Sequence, residues 1–482
     1  MRILFCVILT ASLCFAEGSR EAVSKILSRA TTKTLENGLS VLVLPKGTAP
    51  VFAAVLTVRV GGVDEVRPKT GISHMLEHMA FKGTKTLGTK DYEREKILLD
   101  ELEVIASRSK AATSFSKKDK ERWEAIHQEL QAIWVPDAFT TVFEERGEAG
   151  LNASTDKEFT TYYIKLPKRY FEFWAELEAD RILNPVMRQF YQEREVVREE
   201  RRTRTDDSPN GTLYEKFLLE AFKIHPYRLP VIGFDEDILS LTATDMEEFH
   251  ERFYVPKNMA LALIGDVTKD DLNIIERYFG ALPGGEVKAE IIPKEPLQIE
   301  ERSVVLNDIG SPVIYIGYKK VAYPHPDDVS LSLAGEILAG STLSPLYQEL
   351  VEKSGIVSSI SYSEAPGIIF PNLMTFALTP KKGYSNQFVL DEFDRVLKDV
   401  LQRGFDEEAL TIAKRSTARE IVNLMSDTTG LGRILTQSKL GFGGWDDLLI
   451  WLDRVLKTEK NDVTDAARRY LVKSGRTVGE IR

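Results

Sequence analysis

The chain has 482 residues, 43% hydrophobic and 28% charged, a composition typical of a globular protein of two to four domains. Its formal net charge of −10 argues against a nucleic-acid partner, because nucleic-acid binding ordinarily needs a basic surface. The basic run at 117–122 contains acidic neighbours and is expected to be a solvated helix face.

The N-terminus has the pattern of a secretory signal peptide over residues 1–16. Arg2 precedes an apolar run, and small residues predict cleavage after Ala16. The apolar run is too short for a stable membrane span. Both cysteines, Cys6 and Cys14, lie in this segment, so the mature chain would have no thiol. Export to a bacterial periplasm or the cell exterior is predicted; the alternatives are an N-terminal core helix or a lipoprotein site at Cys14.

The first part of the mature chain predicts strands followed by helices. Apolar runs around an Asn-Gly turn predict strands within 33–60. A helix is expected next, capped by Thr70 or Ser73 and closed by Gly83. The charged, helix-patterned residues 91–135 contain one polar break and predict a helical hairpin inserted into the first domain.

The pattern then repeats. A Thr- and Tyr-rich strand is expected at 150–167, helices at 168–182 and 190–204, and a buried strand at 259–267. The Pro- and Gly-bearing segment 285–301 is the best linker candidate.

After the linker, strands and helices restart in a similar order. We therefore predict an α+β fold of two similar consecutive domains, 17–284 and 302–482. Each domain is expected to have a mixed, mainly antiparallel sheet with helices packed on one face.

The segment 71–84, GISHMLEHMAFKGT, carries the strongest chemical signal. On a helix, His74 and His78 share one face and could bind one metal ion, with Glu77 beside them as general base for a water at the metal. The order H-x-x-E-H inverts the commoner zinc-peptidase motif. Incidental histidines on a surface helix are the alternative, but the apolar neighbours would bury these polar groups, and burial without a partner is costly.

A catalytic zinc usually takes a third protein ligand. Glu193 and Glu200 are two helical turns apart, so either could complete the site while the other orients a ligand. The histidines at 127, 225, 250 and 325 have no evident partner set and are expected to be structural.

Several segments together resemble the pitrilysin-type zinc metallopeptidases, the group that includes mitochondrial processing peptidase and its bacterial relatives. They are HMLEHMAFKGT, NAST at 152–155, EREVVREE, HPYRLPVIG, FYVPKNMALALIGDV and the terminal RTVGEIR. The resemblance covers nearly the whole mature chain.

The resemblance implies a role for each matching residue. His74, His78 and Glu200 would bind one Zn²⁺ per chain, Glu77 would be the general base, and Glu193 a second carboxylate behind the ligands. Asn152 and Ala153 would lie on an edge strand to which an extended peptide adds. The inserted hairpin lengthens the usual spacing to the third ligand and leaves Glu199 as its competitor, although Glu199 points about 100° off the Glu193 face.

Besides this longer spacing, the chain departs from the family pattern in its C-terminal half, where the family usually has an Arg and a Tyr that bind substrate. Val351 and Ser358 stand at those positions, and Val351 cannot stabilise an oxyanion. We therefore expect a heterodimer in which a related subunit supplies the Arg and Tyr; a homodimer is the alternative.

The predicted function is an exported zinc endopeptidase that hydrolyses peptides or unfolded segments. A non-catalytic assembly subunit and a metal-binding protein without hydrolysis are the alternatives. A scaffold would not need all of His74, Glu77, His78 and Glu200.

Overall fold

The computed structural model of the chain describes residues 18, 20–109, 115–287, 291–307 and 310–482. The predicted signal peptide lies outside the described residues. Within this part of the chain, no helix is long and apolar enough to cross a membrane.

A six-stranded sheet organises the first half. Its strands are β1 (Thr31–Thr34), β2 (Ser40–Pro45), β3 (Val51–Val58), β4 (Ala149–Thr155), β5 (Thr160–Pro167) and β6 (Met259–Gly265). The order is β1-β2-β6-β3-β5-β4, and only the pair β2–β6 is parallel. Central strands β3 and β6 are almost wholly buried, whereas β4, at one edge of the sheet, is largely accessible.

Helices follow and interrupt these strands. They are α1 (20–27), α2 (Ile72–Met79), α3 (Tyr92–Ser107), α4 (Lys117–Ile133), α5 (Ala138–Glu144), α6 (Phe171–Leu183), α7 (Phe190–Arg201), α8 (Pro209–Ala221), α9 (Asp235–Ser240), α10 (Ala243–Phe253) and α11 (Leu272–Phe279). Apolar sides of α2, α6, α7, α10 and α11 pack on one face of the sheet. Trp174 of α6, for example, contacts Phe52 of β3 edge to face, and burying such a side chain contributes roughly 1.5–3 kcal/mol.

The second half repeats this strand arrangement. Its strands are β7 (Arg302–Leu306), β8 (Ile314–Lys320), β9 (Val357–Ala365), β10 (Asn372–Pro380) and β11 (Arg476–Ile481), in the order β7-β11-β8-β10-β9. One parallel pair, β7–β11, is followed by antiparallel pairs, as in β2-β6-β3-β5-β4. The prediction of an α+β fold with two similar, mainly antiparallel sheets is confirmed.

The helices of the second half are α12 (Asp327–Ala339), α13 (Pro345–Tyr347), α14 (Asn386–Arg403), α15 (Glu407–Ser426), α16 (Thr428–Phe442), α17 (Asp447–Lys457) and α18 (Lys460–Tyr470). A π-helical turn, Gln348–Lys353, extends α13. Several of these helices, with α12 at their centre, enclose the second core against one face of the sheet.

Each half also packs a helix on the free face of the other half's sheet. α16 crosses β3 and β6 so closely that a Cβ on Gly432 would lie 2.5 Å from a methyl group of Val55. In return, Phe217 of α8 lies over Gly317 and Gly479, where a Cβ would come within 2.6 and 3.1 Å of its ring. The second face of each sheet is therefore covered as well, and this exchange joins the two halves.

Two local predictions are wrong. The single strand expected at 150–167 is the hairpin β4–β5, because Asp156 Oδ1 accepts hydrogen bonds from the backbone N–H groups of Glu158 and Phe159 and closes a turn. The helix expected at 190–204 ends at Arg201, and a π-helical turn follows it.

The hairpin region contains two helices, α3 and α4, with a small apolar core between them. The two helices run antiparallel, as the ion pairs Arg94–Glu129 and Glu101–Arg122 show. Residues 110–114 of the expected break lie outside the described part. The limits 17–284, 285–301 and 302–482 stay predictions; the first sheet ends at residue 265 and the second begins at residue 302.

Candidate metal centre

The start of α2 is fixed by a carboxylate that the sequence pattern did not indicate. The backbone N–H groups of Gly71 and Ser73 donate to the buried Glu65, at 2.8 and 2.9 Å. A negative charge is favourable at a helix N-terminus, although burial raises the pKa of Glu65 to about 7. The predicted caps are therefore wrong; the hydroxyl of Thr70 instead donates to Asp237 at 2.6 Å.

The two motif histidines lie one turn apart on α2 and face Glu200 on α7. Nε2 of His74 is 3.8 Å from Oε1 of Glu200, and Nε2 of His78 is 3.5 Å from Oε2. The ligand atoms that these residues offer all lie within 4.8 Å of one another. Among the described residues, this is the only such group.

The donor set fits zinc. Four ligands about 2.0–2.1 Å from a tetrahedral zinc lie about 3.3 Å apart. The distances from Glu200 to the two histidines, 3.5 and 3.8 Å, are close to this value. Two imidazoles and one carboxylate leave a fourth position open, as in catalytic zinc sites. A histidine that binds a metal must do so as the neutral imidazole. Burial, helped by nearby His78, lowers the pKa of His74 to about 3 and keeps its ring neutral.

Glu193 stands behind His78. Its Oε1 atom lies 2.9 Å from Nδ1 of His78, and Lys82 donates to its Oε2 at 2.6 Å. Burial opposes the charge, but the contacts with His78 and Lys82 hold the pKa of Glu193 below its usual value. A carboxylate that accepts from Nδ1 fixes the tautomer and leaves Nε2 free for a metal.

The structure separates Glu200 from its competitor. Glu199 is exposed and pairs with Arg202 at 3.0 Å, away from the histidines. Arg204, on the π-helical turn after α7, reaches back to within 2.6 Å of Glu200 Oε1.

Glu77 lies beside the histidines and is held from β4. The hydroxyl of Thr155 donates to Oε2 of Glu77 at 2.6 Å. Burial raises the pKa of Glu77, partly offset by this hydrogen bond. A raised carboxylate pKa moves toward the value that suits a general base near neutral pH.

Asn152 and Ala153 lie on β4, which is paired on one side only, with β5, within the described residues. The register shifts between Ala149 and Asn152. The N–H of Ala153 donates to the side-chain oxygen of Asn152 at 2.8 Å. The Asn152 side chain therefore satisfies one backbone hydrogen-bond donor of the strand.

The C-terminal positions offer no cation. Val351 lies on the π-helical turn and packs against the second core, and the hydroxyl of the exposed Ser358 donates to the carbonyl of Thr379 at 3.1 Å. Sequence reasoning missed Thr155 and Lys82 as supports of the site, although both lie in the segments NAST and FKGT that it singled out.

Comparison with known proteins assigns this chain to a family. The family model described as Insulinase (Peptidase family M16) matches residues 41–122, and the Peptidase M16 inactive domain matches 240–417. The zinc protease PqqE of Helicobacter pylori is 31% identical over 358 residues, covering 73% of this chain and 70% of that relative. The chain belongs to peptidase family M16.

Solved structures share the fold of this M16 chain. A protease from Helicobacter pylori matches with a TM-score of 0.77 at 24% identity, over 94% of this chain and 99% of that one. The periplasmic protease PqqL from Escherichia coli matches with a TM-score of 0.71 at 16% identity, over 94% of this chain but only 47% of PqqL. The predicted resemblance to pitrilysin-type peptidases is confirmed, and relatives of the chain are named zinc proteases.

Proposed function

We propose that this M16 chain is a zinc endopeptidase that hydrolyses peptides or unfolded polypeptide segments. The observation that carries the proposal is the convergence of His74, His78 and Glu200 beside a Glu77 that is fixed from the neighbouring strand. His74, His78 and Glu200 would hold one Zn²⁺ per chain. Bound zinc would supply a Lewis acid that polarises the scissile carbonyl.

The chain's own residues supply the rest of the chemistry. Glu77 takes a proton from the attacking water and later gives it to the leaving amine, while Thr155 keeps its carboxylate in place. An extended substrate would pair with the free edge of β4 and displace the Asn152 side chain from the Ala153 N–H. Main-chain pairing would allow many sequences, which suits unfolded segments.

The direct test is hydrolysis of an unfolded polypeptide by the purified chain, before and after removal and return of zinc. Activity should disappear with the metal and return with it. Glu77→Gln should retain one zinc per chain and lose turnover by about 10²-fold or more. Equal turnover in Glu77→Gln would refute the assignment, and metal-free protein with full activity would refute the zinc peptidase.

A non-catalytic assembly subunit is the competing function. It would explain the missing Arg and Tyr, but it gives no reason for Thr155 to orient Glu77 beside three convergent metal ligands. Zinc binding without hydrolysis, under conditions where candidate partners are also present, would favour this alternative.

We further propose that a related subunit completes the site as a heterodimer. Val351 and Ser358 cannot stabilise an oxyanion as an Arg and a Tyr would. PqqL, about twice as long as this chain, shows that the fold also occurs within a much longer protease. Low turnover alone and a large gain with a relative that has both residues would support the proposal; full turnover as a homodimer would refute it.

Export is proposed from the signal pattern at 1–16, with the periplasmic location given for PqqL as support. Expression in a Gram-negative host with the native N-terminus tests it. The mature protein should begin after Ala16 and appear in the periplasmic fraction or the medium.

A further inference from the structure

A fully buried ion pair attaches the inserted hairpin, α3 and α4, to the rest of the half that carries the candidate metal centre. Glu95 of α3 and Arg188, just before α7, have side-chain exposures of 0% and 2%, and Arg188 Nε lies 2.5 Å from Glu95 Oε1. The indole N–H of Trp134, just after α4, donates to the same oxygen at 2.7 Å. Both ends of the hairpin therefore meet at one carboxylate.

Arg188 also holds the segment that follows the zinc-motif helix. Its guanidinium donates to the carbonyls of Lys82, Thr84 and Leu87, at 2.5, 3.1 and 3.2 Å. A Cβ on Gly88 would lie 2.7 Å from Nη1 of Arg188, at a φ of +95° that favours glycine. The segment 82–88 is thus wrapped around Arg188, which in turn is neutralised by the hairpin.

This segment leads directly to a metal ligand. Lys82, whose carbonyl Arg188 binds, places its ammonium 2.6 Å from Glu193, and Glu193 lies 2.9 Å from Nδ1 of His78. The chain of contacts therefore runs from Glu95 through Arg188 and Lys82 to Glu193 and the imidazole. Each step is a charged hydrogen bond, the kind that fixes geometry most strongly.

The hairpin has a second attachment to α7. The hydroxyl of Tyr191 donates to Glu103 of α3 at 2.6 Å, and the Tyr191 ring contacts Trp123 of α4 with centroids 4.9 Å apart. Tyr191 is two residues from Glu193 on the first turn of α7. The hairpin consequently braces the turn that carries Glu193.

We propose that Arg188, held by Glu95, is a positioning residue for the metal ligands, and that hairpin α3–α4 is the scaffold that keeps it in place. The proposal rests on the metal site of the proposed function but not on hydrolysis. Removing the support should loosen the orientation of His78 and weaken zinc binding, because contacts behind a ligand typically account for 10–100-fold in metal affinity.

The test compares zinc affinity, by competition with a chelating dye, and the visible spectrum of the Co²⁺-loaded protein, for wild type and Glu95→Gln. Glu95→Gln keeps the shape but removes the charge that anchors Arg188. We expect an affinity loss of about tenfold and an altered Co²⁺ spectrum. The control is Asp328→Asn, which breaks the similarly buried Lys320–Asp328 pair in the second half and should change neither readout.

A double-mutant cycle with Lys82→Met separates transmission from general destabilisation. If Glu95 acts through Lys82, the two losses of affinity should be clearly less than additive. Additive losses, or wild-type affinity and spectrum in Glu95→Gln, would overturn the proposal. If Glu95→Gln does not fold, Arg188→Lys decides in its place, because lysine keeps the charge but cannot reproduce the planar donor fork that binds three carbonyls. A loss of affinity supports the proposal, and wild-type affinity overturns it.

The wild-type arm keeps the two hypotheses apart. A wild type that binds zinc but cleaves no polypeptide would refute the proposed peptidase and leave this experiment fully decisive. A wild type that binds no zinc would refute the metal site on which both depend.

Discussion

The hydroxyl of Thr155 donates a 2.6 Å hydrogen bond to Oε2 of Glu77 and so ties the edge strand β4 to the helix that carries the zinc motif. The strand proposed to bind substrate is therefore also the strand that orients the proposed base. In the proposed mechanism, this one side chain would couple substrate binding to proton transfer.

Thr155→Val should lower kcat with little change in zinc content. Valine keeps the volume and the β-branch but cannot donate, so the Glu77 carboxylate loses its fixed orientation. General-base catalysis contributes about 10²–10⁴-fold, and we expect a loss of about tenfold from misorientation alone. Steady-state kinetics on an unfolded polypeptide, with zinc measured on the same samples, gives the answer.

Thr155→Ser is the matched control, because it restores the hydroxyl and should recover most of the activity. If valine and serine behave alike, the hydrogen bond does not serve catalysis. If valine also loses zinc, Thr155 supports the fold of the site and does not act on Glu77 alone.

Glu200→Gln should reduce zinc affinity by at least about a hundredfold, since it replaces an anionic ligand with a weak neutral one. Glu199→Gln is its adjacent control and should bind zinc normally, because Glu199 is exposed and pairs with Arg202. Competition with a chelator measures both. A loss confined to Glu199→Gln would reverse the ligand assignment.

Glu193→Gln should bind zinc about 10–100-fold more weakly while leaving the ligand set intact. The amide cannot offer His78 a full negative charge, and it also loses the ion pair with Lys82. The measurement is the dissociation constant at fixed pH, with Glu195→Gln, a more exposed neighbour on α7, as the control. Equal affinities would show that Glu193 does not support the site.

Much of the site could be predicted because helical spacing is local. His74, Glu77 and His78 follow from one turn of helix, and the separation of Glu193 and Glu200 from two. Choosing Glu200 over Glu199 needed only helical geometry together with the family resemblance. The similar succession of strands and helices in the two halves likewise follows from a repeated pattern of apolar runs.

Contacts between distant segments could not be predicted from the sequence. Thr70 bonds with Asp237, 167 residues later in the chain, and Arg188 bonds with Glu95, 93 residues earlier. No periodicity links such residues, because their meeting depends on how the elements pack. The exchange of α8 and α16 between halves is of the same kind.

Acid should destabilise the metal-free protein, partly through His250. Burial lowers the pKa of His250 to about 4, and its ring stacks on Tyr254. In the unfolded chain its pKa is about 6.5, so between these values the unfolded state binds more protons. The stability that the neutral ring contributes is therefore present above about pH 6.5 and is lost as the pH falls toward 4.

His250→Gln removes this titration and serves as the comparison. Urea unfolding of both proteins without metal should show the wild type losing about 2–3 kcal/mol more than the variant between about pH 7 and about pH 4.5. Buried His74 and His225, with pKa values lowered to about 3 and about 4, contribute equally to both proteins and cancel in the difference. Parallel pH curves would mean that His250 is protonated as easily in the folded protein as in the unfolded chain, which its burial against Tyr254 should prevent.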